Sequence, residues 1–253
     1  KNTNNNFIIP VLIASIIPII NFLLVFFYLP ETKPNSDSNK SKPFIKNPLK
    51  NLFTVFKEEK IKKLSLAFFI YFIAFTGLTN ILIFFLQESL NWTTKASSGT
   101  LVVVGIIAII VQGGLIGPLV KQFGEMRLTL IGSGFILVAC ALLITAPKEN
   151  ATINIYSAVS FLAVGAGLIT PTLRALISKK LDTDKQGSIL SNLQGLQSLG
   201  GVLGIAMAGR VYDSFGPKSP FIAGSVILLF MIYLIAEGKS NNSFNNQKSK
   251  VLK

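Results

Sequence analysis

The amino-acid sequence predicts an all-α polytopic membrane protein with about seven transmembrane helices. Half of the 253 residues are apolar and the mean hydropathy is +0.58. The apolar residues are massed in blocks, whereas a soluble domain alternates them with polar residues at helical or strand spacing. Each block is about as long as the roughly 20 residues that a helix needs to cross the apolar core of a bilayer. The predicted spans are residues 7–29, 64–87, 99–120, 128–146, 153–177, 187–211 and 219–236.

The first span follows a polar leader, KNTNNN, that carries a single lysine. Its apolar run is too long for the hydrophobic region of a signal peptide, and no small-residue cleavage site precedes the Leu-Pro-Glu-Thr at its end. We therefore interpret residues 7–29 as a true membrane span. Because the chain opens on Lys1 and not on Met, we expect that further sequence precedes it.

Residues 30–63 form the one predicted domain boundary. Their first part, PETKPNSDSNKSKP, has the Pro, Ser, Asn and Lys content typical of a hydrated linker. Four apolar residues then recur at the spacing of one helix face, namely Leu49, Leu52, Phe53 and Phe56. This pattern predicts an amphipathic helix. We favour a helix that lies at the headgroup surface of the membrane, and the alternative is a helix that docks on a partner.

The later spans are less uniform than the earlier ones. The fifth and sixth are the least apolar because they contain several Thr, Asn and Gln residues, so a strict hydropathy threshold is prone to miss them. After the seventh span, residues 237–253 are rich in Ser, Asn and Lys. We predict that this last segment is a disordered cytoplasmic tail.

Positive charge is divided unequally between the two sides of the predicted topology. One side, formed by residues 30–63, 121–127, 174–186 and 237–253, holds 19 Lys and Arg residues, and the other side holds 5. The richer side is expected to be cytoplasmic. This places the N-terminus outside and the C-terminus inside a plasma (inner) membrane. Topology thus accounts for the net charge of +13, and we expect no nucleic-acid binding.

The sequence lacks the residues from which most catalytic sites are built. It contains no His and a single cysteine, Cys140, so it predicts no internal disulfide, no Cys-His or Ser-His-Asp catalysis, no metal site and no cofactor. No Asp or Glu lies near the middle of a predicted span. Buried carboxylates are the usual proton carriers in transport proteins, so this chain does not by itself supply a proton relay.

A compact charged turn, GPLVKQFGEMR, lies between two apolar runs at residues 117–127. It resembles the cytoplasmic loop between helices eight and nine of a major facilitator superfamily transporter. The longer stretch QGGLIGPLVKQFGEMRLTLIG, residues 112–132, is similar to the drug:proton antiporter branch, especially its tetracycline-efflux group. Residues 165–204 resemble the helix ten to eleven region of that group. The segments 29–32 and 212–221 look like the end of helix six and the loop before helix twelve.

The resemblance covers essentially the whole chain up to residue 237. It implies that residues 1–29 are helix six of a twelve-helix fold, at the end of its N-terminal half, and that residues 64–236 are the C-terminal six-helix bundle. It also implies a secondary active transporter that exports small, largely apolar molecules with proton coupling. The coupling acids would then lie in a missing N-terminal half of the same protein, and the expected partners are that half, the lipid bilayer and a small-molecule substrate.

Two alternatives remain open at this point. The first is a metabolite uniporter or symporter of the same fold. The second is a non-transporting membrane subunit that pairs with a partner through its glycine-rich faces. A membrane-embedded enzyme is not expected, because no nucleophile and base can be assembled from this sequence.

Polar residues inside the spans are candidates for a substrate cavity, because an unsatisfied polar group is costly in hydrocarbon and has to face the bundle or water. In the resembling fold these residues lie on helices seven, eight and eleven, which border the central cavity. We predict that their amide dipoles orient the ligand, and the alternative is hydrogen bonding between helices. The candidates are Thr76, Asn80, Gln112, Asn192, Gln194 and Gln197.

The turn at residues 117–127 is a candidate gating loop. Gly117 and Gly124 permit a tight turn. Lys121 and Arg127 are then expected at the mouth of the bundle, where they can pair with acidic residues or with helix C-termini. The alternative is a turn whose cations only set the topology.

Glycines at four-residue spacing are candidates for close helix packing, because such pairs let two backbones approach. Gly113 and Gly117 form one such pair, and Gly200 and Gly204 form another. We predict that Gly113, Gly200 and Gly204 lie at helix contacts.

The cavity prediction is testable by substitution. Asn80→Ala and Gln112→Ala are expected to weaken transport of substrate by the full-length protein while leaving its insertion into the membrane intact, because each change removes one amide contact. Transport assays and quantification of the protein in membranes measure the two effects. Unchanged transport of every compound tested would remove both residues from the site.

Overall fold

The computed structural model of the protein describes residues 8–28, 52–147 and 151–251. Helices dominate these residues, and no strand occurs among them. The chain divides into two compact units, Lys1–Lys46 and Asn47–Lys253, which are described separately below. The predicted all-α class is confirmed.

The first unit contains helix α1, Ile8–Tyr28. Its bounds agree with the predicted first span to within one residue at each end. Pro18 lies inside the helix, a position that apolar membrane helices tolerate better than soluble ones.

The second unit begins with a short 3₁₀ turn, Phe53–Phe56, and continues in α-helices. Two π-helical segments interrupt them: Phe85–Ser89 extends α2, and Val111–Leu115 joins α3 to α4. The helices of this unit are α2 Lys62–Phe84, α3 Thr94–Ile110, α4 Ile116–Phe123, α5 Glu125–Thr145, α6 Thr152–Ser178, α7 Thr183–Phe215 and α8 Ser219–Val251.

Five stretches of the described residues are long and apolar enough to cross a membrane, and they match the second to fifth and the seventh predicted spans. Helix α7 corresponds to the sixth predicted span, and its polar residues keep it below the same criterion although it is 33 residues long. Helix α6, the fifth span, meets the criterion. The five stretches are Lys62–Ser89, Thr94–Phe123, Glu125–Thr145, Thr152–Ser178 and Ser219–Glu237.

Helix α2 packs against two other helices of the second unit. It lies along both α7 and α8, while α5 lies along α6. Contacts of α3 with α6, and of α5 with α8, complete the bundle. The aromatic rings of Phe68 and Tyr71 on α2, and of Phe85 in the π-helical segment that follows it, are almost fully buried, and Phe221 of α8 packs edge-on against Phe85. These aromatic residues form part of the core of the unit.

Two pairs of glycines bring helix backbones into direct contact. At the α2–α7 crossing, a Cβ atom added to Gly204 would lie 2.2 Å from the carbonyl oxygen of Ile73, and one added to Gly77 would lie 2.8 Å from that of Gly204. At the α5–α6 crossing, a Cβ atom added to Gly132 would lie 2.9 Å from the carbonyl oxygen of Gly165. No side chain fits at such distances, so both crossings depend on glycine.

The three glycines predicted at helix contacts are placed differently. Gly200 and Gly204 both face α2, since a Cβ atom at Gly200 would lie 3.2 Å from the carbonyl oxygen of Phe69. Gly113 lies in the π-helical segment between α3 and α4. No atom of the described residues lies within 4 Å of the position its Cβ would take. Gly113 therefore faces open space in this unit.

The amphipathic segment predicted before α2 can be followed from Leu52 onward, and Leu49 lies outside the described residues. Its described part is a 3₁₀ turn, not an amphipathic α-helix, and it packs against α2 and α7. Val55 is completely buried there. Leu52 packs on α7, since its Cδ2 lies 2.1 Å from where a Cβ of Gly195 would be. This part thus docks on its own bundle.

Helix α8 continues past the predicted seventh span and ends at Val251. The tail at residues 237–253, predicted to be disordered, is thus helical up to that residue. After Gly238 the sequence contains no further glycine and no proline, so no residue of the segment breaks the backbone hydrogen bonds of a helix.

The α2–α7 crossing gives a testable prediction. Gly204→Ala is expected to lower the unfolding free energy by about 1–3 kcal/mol, the usual cost of overpacking, because the new methyl group collides with the α2 backbone. The apparent Tm of the purified protein in detergent measures this. Gly209→Ala, in the same helix but with nothing of the described residues within 4 Å, is the matched control and is expected to keep or raise Tm. Equal Tm values for the two variants would contradict the prediction.

Candidate functional site

Six residues on three helices form a polar and aromatic cluster, called here the Arg174 cluster. Each helix contributes two of them, spaced three or four residues apart, so that both lie on one face of the helix. The residues are Phe68 and Tyr71 on α2, Thr170 and Arg174 on α6, and Gln194 and Gln197 on α7.

Arg174 lies at the centre of this cluster. Its Nη2 donates hydrogen bonds to Oε1 of Gln194, at 2.7 Å, and to Oε1 of Gln197. Its Cζ lies 6.0 Å from the centre of the Phe68 ring, which is the outer limit of a cation–π contact. One guanidinium therefore connects α6 to both α7 and α2.

The guanidinium points into the bundle and not toward its nearer end. Arg174 is four residues before the end of α6, or about 6 Å at 1.5 Å per residue. Only four residues join α6 to α7, so the two helix ends lie at the same level. Gln194 and Gln197 are about 17 and 21 Å from the start of α7. An arginine near a helix end normally extends to the interface, so this orientation is unusual.

Such an orientation is energetically unfavourable in a membrane helix. On insertion scales, an arginine at the centre of a span costs about 2.5–3.5 kcal/mol, and ionisable groups inside membrane helices usually mark a binding or transport site. The amide oxygens of the two glutamines compensate part of the cost by accepting hydrogen bonds. The Arg174 cluster is therefore our candidate functional site.

A second hydrogen bond extends the cluster between α2 and α6. The hydroxyl groups of Tyr71 and Thr170 lie 3.3 Å apart, and either can be the donor. Tyr71 is completely buried, and its ring stacks on that of Phe75 with 5.5 Å between centres. Thr170 is one helical turn before Arg174. The polar contacts thus follow one face of α6 for about one turn.

The predicted cavity residues of α7 separate into two groups. Gln194 and Gln197 belong to the Arg174 cluster. Asn192 does not, because its Nδ2 donates to Oγ1 of Thr54, 3.1 Å away in the docked 3₁₀ turn. Asn192 thus joins α7 to the segment before α2, which is a packing role.

The predicted cavity residues of α2 and α3 lie outside the Arg174 cluster. Asn80 is exposed, and its Nδ2 donates to the carbonyl oxygen of Thr76 in the same helix, at 2.9 Å. Gln112 is exposed in the π-helical segment Val111–Leu115. Its side chain makes no hydrogen bond within the part of the chain that the structure describes. Short π-helical segments frequently occur at functional sites, so Gln112 remains a candidate.

Sequence reasoning missed Arg174, Tyr71 and Phe68. Arg174 was counted with the basic segment 174–186, which sets the predicted topology. A signal for another role was present, because the apolar residues Ala-Leu-Ile follow it and place it inside the predicted span 153–177. The two aromatic residues carried no comparable signal, since most aromatic residues in such a span only pack.

One end of the bundle, called here the basic end, contains three ion pairs between different elements. They join α2 to α8, α6 to α5, and α7 to the segment before α2. All three are partly exposed, and exposed ion pairs contribute little to stability, so their role is to define contacts at this end. The pairs are Lys63–Glu237 at 2.6 Å, Lys185–Glu58 at 2.7 Å, and Lys179–Glu125.

The candidate gating loop lies at the basic end. Gly124 has φ +76°, which favours glycine, and it ends α4 and begins α5. Lys121 and Arg127 are exposed, and neither forms an ion pair with any residue that the structure describes. Glu125 makes the contact instead, with Lys179 of α6. The loop therefore contacts the end of α6 through Glu125 and not through Lys121 and Arg127, the residues that the sequence predicted. Gly117 has no close neighbour among the described residues.

The bundle and its membrane-embedded polar cluster define a multi-pass membrane protein of the transporter class. Residues 3–205 match the family described as Major Facilitator Superfamily. This match covers most of the chain, so the protein belongs to the major facilitator superfamily, whose members are transporters and not enzymes. The resemblance inferred from the residues is confirmed.

Several curated proteins are similar to this chain. Hippocampus abundant transcript-like protein 1 of Homo sapiens is 21% identical over 257 residues, which cover 89% of this chain and 49% of that protein. Tetracycline resistance protein, class H, of Pasteurella multocida is 24% identical, and class D of Salmonella ordonez is 28% identical. Each of these two alignments covers 81% of this chain and 50% of the relative. The chain spans about half the length of the curated relatives it matches.

The ion pair between Glu58 and Lys185 gives a pH prediction. The hydrogen bond and charge of Lys185 lower the pKa of the Glu58 carboxyl below its usual range. The ionised carboxylate stabilises the docked turn at pH values above the usual carboxyl pKa. This stabilisation is lost as the pH falls through the lowered pKa of Glu58, because the carboxylate is then protonated. Hydrogen exchange of the amides of residues 54–57, corrected for the intrinsic effect of pH, is expected to accelerate in that range.

Glu58→Gln is the control for this measurement. It removes the titrating group, so exchange at residues 54–57 is expected to be fast at every pH and to show no transition. Amides in the middle of α2 serve as an internal reference, because they are buried far from this pair. An unchanged acid transition in Glu58→Gln would refute the assignment to this carboxyl.

Proposed function

We propose that this chain is the C-terminal part of a secondary active transporter that exports small, largely apolar molecules from the cell in exchange for protons. The observation that carries the proposal is the Arg174 cluster, which brings a guanidinium, two amide groups and two hydroxyl groups together between three helices of an otherwise apolar bundle. Family membership supports the transporter class. The names of the tetracycline resistance proteins support export of an antibiotic or a similar compound.

The position of the cluster supports its use as a substrate site. Substrates of such transporters bind near the middle of the membrane, where two structural repeats meet. Gln194 is exposed although Arg174 contacts it, so this face of α7 is only partly covered by the described residues of the second unit. In our proposal this face borders the substrate cavity and lies opposite a second six-helix bundle. The amides of Asn80 and Gln112, which are also exposed, extend the same cavity.

The second bundle is proposed to come from an N-terminal half of the same protein. In that arrangement α1 is helix six, α2 is helix seven, and α3 with α4 is helix eight. Helices α5 to α8 are then helices nine to twelve. The fact that the curated relatives are about twice as long supports this assignment. The proton-coupling carboxylate is assigned to that half, because the glutamates described here lie at or outside the ends of the apolar stretches.

The basic end is proposed to face the cytoplasm of a cell whose plasma (inner) membrane holds the protein. The excess of Lys and Arg on this side supports that orientation. The loop from Gly117 to Arg127 would close this end, with Glu125 and Lys179 in contact. Opening of the end would separate this pair, and Lys121 and Arg127 would be free to form new ones.

Transport by the native protein tests the proposal. Inside-out membrane vesicles that contain it are expected to take up tetracycline or rhodamine 6G when their lumen is acidified, and a protonophore is expected to abolish the uptake. Vesicles from cells that lack the protein are the control. Uptake of neither compound above the control would count against export as the function.

The intact mass of the native protein tests its proposed architecture in the same preparation. A mass above 27.4 kDa by about five spans of roughly 20 residues, with their loops, is expected. A mass near 27.4 kDa, together with no uptake, would favour a non-transporting membrane subunit instead.

A further inference from the structure

We propose that Arg174 recognises an oxyanion, such as a carboxylate or a phosphate group, on the molecule that this transporter binds. The substrate class would then be amphipathic anions, with one charged group and an apolar body. This inference rests on the proposed function, because it assigns a substrate class to the same cluster. A lipid phosphate offers the same chemistry, and the experiment below separates the two sources.

The first argument is that Arg174 has no counter-ion. Lys63, Lys179 and Lys185 at the basic end each pair with a glutamate. Among the residues whose side chains the structure describes, Arg174 forms no ion pair with a carboxylate, and its hydrogen-bond partners are amide oxygens. Amide oxygens orient a guanidinium but leave its charge in place. Among the described side chains the positive charge of Arg174 is therefore not compensated, and such a charge attracts an anion.

The second argument is that hydrogen-bond donors remain available. A guanidinium has five N–H groups and no acceptor. The two N–H groups on Nη2 of Arg174 are directed to Gln194 and Gln197. The three on Nε and Nη1 have no hydrogen-bond acceptor among the residues described. Charge-assisted hydrogen bonds from arginine to carboxylate or phosphate are among the strongest in proteins, so these donors suit an oxyanion.

The third argument is the space beside the guanidinium. An open cavity of about 330 Å³ is lined by Arg174, Ala175, Ser178 and Leu190. A volume of this size accommodates a small organic molecule. Ala175 and Leu190 provide an apolar wall next to the charge. A ligand whose anionic group binds Arg174 and whose apolar body lies against this wall fits both the charge and the wall.

Gln194 and Gln197 act as positioning residues in this arrangement. They hold Nη2, so the remaining donors have a defined direction. They also draw the side chain away from the membrane interface, where water and headgroups would compete for it. At these two positions the amide groups were predicted to contact the substrate. They contact Arg174 instead, and Arg174 binds the substrate.

Two dyes with the same ring system and opposite charge test the proposal. The native protein is reconstituted in phosphatidylcholine vesicles, and binding of anionic fluorescein and cationic rhodamine 6G is followed by fluorescence anisotropy. Arg174→Gln is expected to weaken fluorescein binding by about tenfold or more, the scale of a lost charge-assisted hydrogen bond, and to leave rhodamine 6G binding unchanged. Arg174→Lys keeps the charge and is expected to lie in between.

Arg210→Gln is the matched control, because it makes the same change at an exposed arginine of α7 outside the cluster. It is expected to bind both dyes like the wild type. Equal affinity of the wild type and Arg174→Gln for fluorescein, including no binding by either, would overturn the proposal. If Arg174→Gln does not fold, competition on the wild type decides. Displacement of fluorescein by benzoate but not by benzylammonium supports the proposal, and any other pattern overturns it.

Mass spectrometry of the native protein identifies the source of the oxyanion. Phosphatidylglycerol retained by the wild type and lost in Arg174→Gln would support the oxyanion site and assign it to a lipid headgroup. Binding of fluorescein that depends on Arg174 without retained lipid assigns it to the transported molecule.

The vesicle uptake assay separates this inference from the proposed function. Uptake of rhodamine 6G without binding of fluorescein through Arg174 would leave export in place and remove the anion site. Binding of fluorescein through Arg174 without uptake of any dye would keep the anion site and remove export.

Discussion

The close approach of helix backbones at glycine is the constraint on which the rest of this structure depends. In a bilayer the lipid is as apolar as a leucine side chain, so helices associate through close van der Waals contact and hydrogen bonds. Gly77 and Gly204 provide this contact between α2 and α7. Gln197 is two turns before Gly204 on the same face of α7. The crossing therefore brings the polar face of α7 next to the aromatic face of α2 and positions Arg174 between them.

The cations of this end of the bundle differ in their partners. The three paired lysines lie near helix ends and meet glutamates, so their charge is neutralised where water is also available. Arg174 reaches deeper and meets only amide oxygens and an aromatic ring. The three lysine–glutamate pairs can break and reform at little cost in free energy, since exposed ion pairs are weak. The charge of Arg174 is costly without a ligand, which is the physical basis for treating Arg174 as a binding group.

The cluster and the basic end form one working arrangement in the proposed transporter. Arg174, positioned by the two glutamines of α7, binds the substrate, while Glu125 and Lys179 close the end beside it. Arg174 lies on α6 and Lys179 directly follows this helix, five residues later. A movement of α6 would therefore change the binding group and the closure together. The driving force would come from the other half of the protein, because the glutamates described here lie at or outside the ends of the apolar stretches.

The sequence by itself determined the membrane class, the approximate spans and the family. These follow from hydrophobic blocks of about 20 residues and from the 117–127 turn, both of which are local patterns. It also indicated that α7 carries polar residues, but not which of them act together. Only the tertiary structure decided that Gln194 and Gln197 meet Arg174, whereas Asn192 meets Thr54. It likewise separated Gly204, which touches a helix, from Gly113, which does not. The reason is physical: a helical pattern fixes which residues share a face, while the neighbour of that face depends on how helices distant in sequence cross.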